Sequence, residues 1–319
     1  MYDSFIYSVN TVLPVFIIVA LGWILLRVKL ITADFTAVAE KLVFKVALPV
    51  MLFCEVSSAD LAADFDGRFI LFCCSGILIT FVLLCAFVPL FIKSDDRRGA
   101  FIQGVYRSNF AILGIPLAES MFGSEGTAQI SMIMPFSIIL FNMFAVLILS
   151  IYAPKEIKLT VPQFARRIIG NILKNPLIIS VVAGIPFMLI SSEFPLIITK
   201  SLNCVSGMVM PLSLICIGAS FKFESLRGRT AVALIAAALR LLVVPIIAVG
   251  TATAVGFRGT QLGIILILFG APTAVSSYVM AKNMKSDHEL AAQIILLTTL
   301  LCALTMFSGV FLLKNFGYI

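Results

Sequence analysis

Asn109, Glu119 and Arg240 are polar or charged side chains set inside long apolar runs, and the chemistry open to this chain starts with them. The Asn109 amide suits either a contact to a substrate carboxylate or a structural hydrogen bond to free backbone groups. Arg240 stands ten residues beyond Thr230, which at about 1.5 Å per residue puts it ~15 Å inside its run. A guanidinium at that depth requires a partner: an anionic substrate, a carboxylate such as Glu119 or Glu55, or the carbonyls of a helix end. Glu119 follows Pro116 by three residues, a position from which a carboxylate caps the first turn of a new helix. Its other reading is a carrier of a coupled proton. Thr273, Ser276 and Ser277 follow Pro272 at helical spacing, and their hydroxyls either reach a substrate or repair a broken backbone ladder. Two glycine–proline pairs, Gly114-Ile115-Pro116 and Gly270-Ala271-Pro272, frame these side chains. The set describes a place to hold an anion rather than a reacting centre.

Nothing else in the chain supplies a reaction. It has no G-x-x-x-x-G-K-[ST], no G-x-S-x-G and no paired histidines, so ATP hydrolysis and serine or zinc chemistry have no residues to run them. The seven cysteines lie in apolar runs without C-x-x-C spacing and His288 is the one histidine, which leaves no disulfide framework and no metal site. A non-enzyme without cofactor is expected, with coupling to H+ or Na+ left open. Asp287, His288 and Glu289 read as a solvated cap for the last helix, Arg107, Lys41 and Lys45 as snorkelling side chains, and Trp23 as an interfacial anchor.

The elements that position these residues follow from composition. The chain has 319 residues, 61% hydrophobic and 12% charged, at mean hydropathy +1.12, against about 25% charged for a soluble domain. Seven stretches carry no charge: Ser4 to Leu26, Phe69 to Ile92, Gly126 to Pro154, Asn175 to Ser192, Ser201 to Phe221, Gly259 to Ala281 and Leu290 to Leu313. Three more are interrupted, by Lys45 and Glu55, by Arg107 and Glu119, and by Arg240. Ten membrane-spanning helices result, apolar on every face and therefore not barrel strands. The net charge of +7 reads as loop lysine and arginine on one membrane face, not as a nucleic-acid surface. Fifteen basic residues fall in odd-numbered loops and four in even loops and the tail. Odd loops then face the cytoplasm and both termini face outward, in what is expected to be a bacterial inner membrane. Met1 to Ser8 lacks a basic stretch, so the first span is expected to be retained.

The two halves resemble each other. Pro14 and Pro49 are 35 residues apart, as are Pro176 and Pro211, and Gly22 and Gly184 each stand eight residues after the first proline, an offset of 162 between halves. The Gly-Ile-Pro of the first half recurs as Gly-Ala-Pro at an offset of 156. This predicts an all-α polytopic protein of two five-helix repeats, residues 1–153 and 174–319, joined by a cytoplasmic linker at 154–173. Five being odd, the second repeat is inverted. Helices 4 and 9 are expected to break at their Gly-x-Pro segments and to cross at mid-membrane, where two helix N-termini suit an anion and the opposing carbonyl ends a cation. The predicted site therefore comprises Asn109, Gly114, Pro116, Glu119, Arg240, Gly270, Pro272, Thr273, Ser276 and Ser277.

At these residues the sequence resembles the auxin efflux carrier family of plant PIN proteins and bacterial organic-acid permeases. The resemblance rests on Asn109-Phe110-Ala111-Ile112-Leu113-Gly114-Ile115-Pro116-Leu117, on Met121-Phe122-Gly123, on the run from Pro272 through Lys282 to Asp287, on Asn175-Pro176, and on Arg240 five residues before Pro245. It implies a scaffold of helices 1, 2, 6 and 7, a transport domain of helices 3, 4, 5, 8, 9 and 10, and alternating access by movement of one against the other. The expected cargo is a small organic anion, a mono- or dicarboxylate, and the scaffold helices offer a face for a homodimer in the lipid bilayer. A sodium-coupled symporter of the bile-acid type is the alternative. Two departures stand out: the loop Lys155 to Lys174 lacks the long hydrophilic domain of many plant members, and Glu119 stands where plant relatives can carry a basic residue. Auxin itself is therefore not the expected substrate.

Overall fold

A computed structural model describes residues 14, 17–58, 66–153, 170, 173–190, 194–220 and 229–319. The start of the first predicted span and most of the 154–173 linker lie outside them. Among the described residues the chain is all helical, with a single isolated β-bridge. In order come α1 (Ile17–Arg27), α2 (Ala33–Leu42), α3 (Leu48–Ser57), α4 (Gly67–Phe91), α5 (Asp95–Tyr106), α6 (Phe110–Ile151) and α7 (Pro176–Ile190). They are followed by α8 (Leu196–Ser206), α9 (Val209–Ser220), α10 (Thr230–Ala238), α11 (Val244–Val255), α12 (Gly259–Gly270), α13 (Ser276–Asn283) and α14 (His288–Asn315).

Helices this apolar satisfy their backbone internally, as lipid demands, and side chains supply the caps at their wet ends. Thr32 accepts from the Phe35 N–H, Asp66 from those of Arg68 and Phe69, and Asp287 from that of Leu290. Five stretches are long and apolar enough to cross a bilayer: Gly67–Phe91, Met121–Ile151, Leu196–Ala219, Thr230–Val255 and His288–Asn315. Shorter apolar helices, Ile17–Arg27, Pro176–Ile190 and Gly259–Gly270, accompany them. The chain is a polytopic integral membrane protein. Within the apolar core of its span, Met121–Ile151 is 67% buried and Gly67–Phe91 only 28%, so the former is an interior helix and the latter faces lipid.

Proline shapes two of the spans. Between α2 and α3, and again between α10 and α11, the chain makes a five-residue π-turn, Val43–Ala47 and Leu239–Val243. Pro49 and Pro245 sit just beyond them. Each proline removes a donor from the ladder, and the turn before it shifts bonding to i→i−5, Leu48 N–H to Val43 and Val244 N–H to Leu239. The second π-turn carries Arg240.

Close backbone approaches join α1 to α9 and α7 to α3. A Cβ on Gly22 would lie 2.3 Å from the Ile215 carbonyl oxygen, and one on Gly184 would lie 3.2 Å from that of Phe53. Gly184 and Ile215 each follow Gly22 and Phe53 by 162 residues, so both contacts carry the offset of the sequence repeat.

Two backbone interruptions meet. Helix α5 ends at Tyr106 and α6 begins at Phe110, while α12 ends at Gly270 and α13 begins at Ser276. The strand-like segments between them pair: Ser108 and Thr273 form an antiparallel bridge, and the Asn109 N–H donates to the Pro272 carbonyl at 2.8 Å. The second interruption lies at the expected Gly270-Ala271-Pro272. The first does not lie at Gly114-Ile115-Pro116, which runs inside α6, but at Arg107–Asn109, seven residues earlier than Gly114. Helix α6 instead turns at Gly123, whose φ of 60° and ψ of −142° favour glycine. There the chain doubles back, so that a Cβ on Gly126 would meet the Ala118 carbonyl oxygen at 2.4 Å and one on Gly114 the Ile130 side chain at 2.5 Å.

A candidate anion site at the crossing

The crossing sorts the four helix ends by polarity. Both C-terminal ends, those of α5 and α12, meet the guanidinium of Arg240. Its Nε donates to the Ala271 carbonyl at 2.8 Å and its Nη2 to that of Leu268 at 3.2 Å; its Nη1 donates to those of Val105 at 3.3 Å and Tyr106 at 3.2 Å. The side chain is fully buried. Leu268 is the residue whose carbonyl loses its helical partner because Pro272 has no N–H. Of the readings open for Arg240, the structure shows the cap on helix carbonyls; Arg240 does not line the cavity described next.

Both N-terminal ends, those of α6 and α13, face a cavity of about 50 Å³. Its polar lining consists of Glu55, Arg107, Ser108, Asn109, Ser137, Asn142 and Ser276, closed by apolar residues that include Met51, Phe141 and Met210. Among the described residues no side chain caps either N-terminus. Each carries about half a positive charge, and Arg107 adds a full one. Arg107 is buried, its Nη2 donating to Asn142 Oδ1 at 2.7 Å and its Nη1 to Met280 Sδ at 2.6 Å. Asn142 Nδ2 is anchored on the Ile138 carbonyl. Asn109 is buried at the cavity wall, and among the described residues its amide has no hydrogen-bond partner.

The predicted residues therefore separate. Asn109 and Ser276 line the cavity. Thr273 lies at the bridge, its hydroxyl donating to Gly104 at 2.6 Å and its N–H to Thr298 Oγ1 at 3.1 Å. Gly270 and Pro272 shape the interruption, and the Ser277 hydroxyl is buried without a partner behind it. Gly114 packs the hairpin of α6; Pro116 lies within its first arm, its side chain outside the described residues. Glu119 is exposed nine residues past the start of α6 and caps nothing there, because the helix begins before Pro116 rather than after it.

Glu55, Arg107 and Asn142 were not among the predicted site residues. Glu55 and Arg107 were visible as charges interrupting apolar runs, but Arg107 reads as snorkelling only if its helix is continuous. Asn142 lies in a charge-free run and gave no signal. Asp287, expected to be solvated, is buried and paired with Arg229 at 2.9 Å and Arg97 at 3.6 Å.

A family model described as membrane transport protein matches residues 7–308. This chain belongs to that family of transporters, the auxin efflux carrier family. It is a transporter rather than an enzyme on that ground. An uncharacterized transporter of Methanothermobacter thermautotrophicus is 26% identical over 95% of this chain and 97% of its own length. One from Methanocaldococcus jannaschii is 24% identical over 91% and 94%. A provisionally named malonate transporter of Rhizobium meliloti is 23% identical over 95% of each chain.

Proposed function

We propose that this family member is a secondary transporter of small organic anions, mono- or dicarboxylates, that binds its cargo in the cavity at the helix crossing. The observation that carries this reading is the sorting of helix ends. Two uncapped N-termini, Arg107 and the free amide of Asn109 converge on one cavity, while the carbonyl ends are turned away and neutralised by Arg240. An anion entering there replaces its hydration with preorganised donors. The name of the Rhizobium meliloti relative points to the same chemical class.

The matched contacts at an offset of 162 support two inverted five-helix repeats making ten spans. In this reading α1 to α3 and α7 to α9 form the scaffold, and the helices at the crossing form the moving domain. Elevator-like movement carries the cavity from one face of a bacterial inner membrane to the other, both termini lying outside. At about 50 Å³ the cavity here is closed down, and it widens when Met51 and Met210 on the scaffold side draw back.

The test is flux into proteoliposomes with a panel of mono- and dicarboxylates, under imposed proton and sodium gradients. Saturable uptake of at least one of them is expected, with Asn109→Ala lowering it ten- to hundredfold, the worth of a hydrogen bond of about 1.5–3 kcal/mol to a charged group. Absence of flux for every anion, with Asn109→Ala binding as the parent does, defeats the reading.

A further inference from the structure

The cavity's charges do not balance, and the imbalance turns on Glu55. Arg107 and two helix N-termini supply roughly two positive charges, against one negative charge on ionised Glu55. A monoanion suits the site while Glu55 is ionised. A dianion suits it only when Glu55 is neutral, because a second uncompensated negative charge in a confined site is costly. The carboxylate lies on α3, packed against α7, whereas the positive groups lie at the crossing, so the two charges belong to different helix sets. Among the described residues no hydrogen bond or ion pair reaches Glu55. Arg107 gives one hydrogen to Asn142 and one to Met280, which leaves the rest of its five N–H donors for an anion.

Few groups face this carboxylate. Arg107 and Asn109 come from the first interruption, Ser137 and Asn142 from α6, Ser276 from α13, and Cys54 is its neighbour on α3. Helix α7, packed along α3, has no titratable side chain; Lys200 and Cys204 of α8 are exposed, and Cys216 of α9 contacts the Thr36 carbonyl. The four carbonyls at the crossing that suit a sodium ion already accept from Arg240.

We propose that Glu55 binds the coupled proton, and that the protein moves a dicarboxylate dianion together with one proton. This rests on the reading of the cavity as an organic-anion site. The proton comes from the aqueous phase that the cavity meets once it has widened, and joins a Glu55 carboxylate oxygen as the dianion settles on Arg107 and Asn109. It returns to water on the opposite side once the dianion has left. Only the O–H bond forms and breaks, and each cycle moves one net negative charge.

The experiment uses the full chain in vesicles loaded with a pH-sensitive dye, a malonate gradient, and the variants Glu55→Gln and Glu55→Asp. Expected are proton uptake matching malonate uptake in the parent, and malonate flux without proton uptake in Glu55→Gln, flat between pH 7 and 8, where malonate is almost wholly the dianion. Malonate flux without proton movement in the parent, or proton uptake preserved in Glu55→Gln, overturns the proposal and leaves the anion carrier standing. If Glu55→Gln is inert even in malonate exchange, Glu55→Asp decides: coupled flux with a displaced pH profile supports the proposal, and the parent's profile overturns it. No flux of any carboxylate in the parent overturns both.

Discussion

Arg240 is the residue whose removal should cost most. Its guanidinium holds two helix ends through four carbonyls in a fully buried place. A lysine ammonium is a point charge with three donors on a flexible stem and cannot span the same fork. Arg240→Lys is expected to destabilise because carbonyls that lose their donor are left buried and unpaired at about 1–3 kcal/mol each, read as a fall in the melting temperature of the detergent-purified protein. Ser277 gives the opposite case. Among the described residues its buried hydroxyl has no partner, so Ser277→Ala removes a desolvated polar group without breaking a bond and should stabilise by about 1 kcal/mol. A loss of stability in that variant means the hydroxyl has a partner in the membrane-embedded protein.

Among elements, the start of α4 gives a pH prediction with a definite sign. Hydrogen bonds from Gln261 Nε2 at 2.8 Å and from the Phe69 and Arg68 N–H groups hold the Asp66 carboxyl below its ordinary value. A carboxylate with a depressed folded pKa stabilises above its unfolded pKa and loses that stabilisation as pH falls through the folded one. The first turn of α4 should therefore fray as pH is taken below the usual carboxylate range, seen as faster amide exchange after correction for intrinsic rates. Asp66→Ala should cost about 1 kcal/mol at neutral pH, the worth of an N-cap. At the other end, Asp287 caps α14 and pairs with Arg229, whose other end meets Glu289 at 2.9 Å. Arg229 is 26% exposed and rehydrates when its partner is lost, so Asp287→Ala should cost about 1–2 kcal/mol, a cap plus a surface pair. A buried pair would cost more. The Gly123 turn rests on a positive φ with ψ far from the left-handed helical well, and Gly123→Ala strains it by about 1–3 kcal/mol.

In the whole molecule, two sets of helices must each hold together if one is to slide past the other. Gly218 shows how α1 and α9 do so: a Cβ there would lie 1.9 Å from the Val19 carbonyl oxygen, a backbone atom that cannot give way. Gly218→Ala should separate α1 from α9 and destabilise sharply, whereas Gly250→Ala, with nothing near it, should gain about 0.5–1 kcal/mol of helix propensity. Equal effects of the two substitutions on thermal stability would contradict the packing. A polar tie joins α13 to α2, where Tyr278 Oη donates to Glu40 Oε1 at 2.6 Å and Asn283 donates to the Glu40 carbonyl at 3.4 Å. If the sets slide, that tie breaks in each cycle, and Tyr278→Phe should shift the carrier between inward- and outward-facing forms, measured by accessibility of cysteines introduced on either face.

Composition and period were enough to make this chain helical and membrane-embedded, because lipid leaves a chain of that polarity few other ways to satisfy its backbone. The break after Gly270 was legible for a local reason: Pro272 deprives Leu268 of its partner whatever surrounds it. The break at Arg107–Asn109 was not, since no residue there forbids a helix. It exists because Arg240, far away in sequence, takes the Val105 and Tyr106 carbonyls, and the Pro272 carbonyl takes the Asn109 N–H. The Gly-x-Pro pattern therefore predicts the first interruption at Gly114-Ile115-Pro116, a segment that serves a helix hairpin instead. The same distance in sequence hid Glu55 and Asn142, which become neighbours of Arg107 only after the crossing forms. Local donors and acceptors can be counted along a chain, but which of them are claimed by remote groups is settled only when those groups arrive.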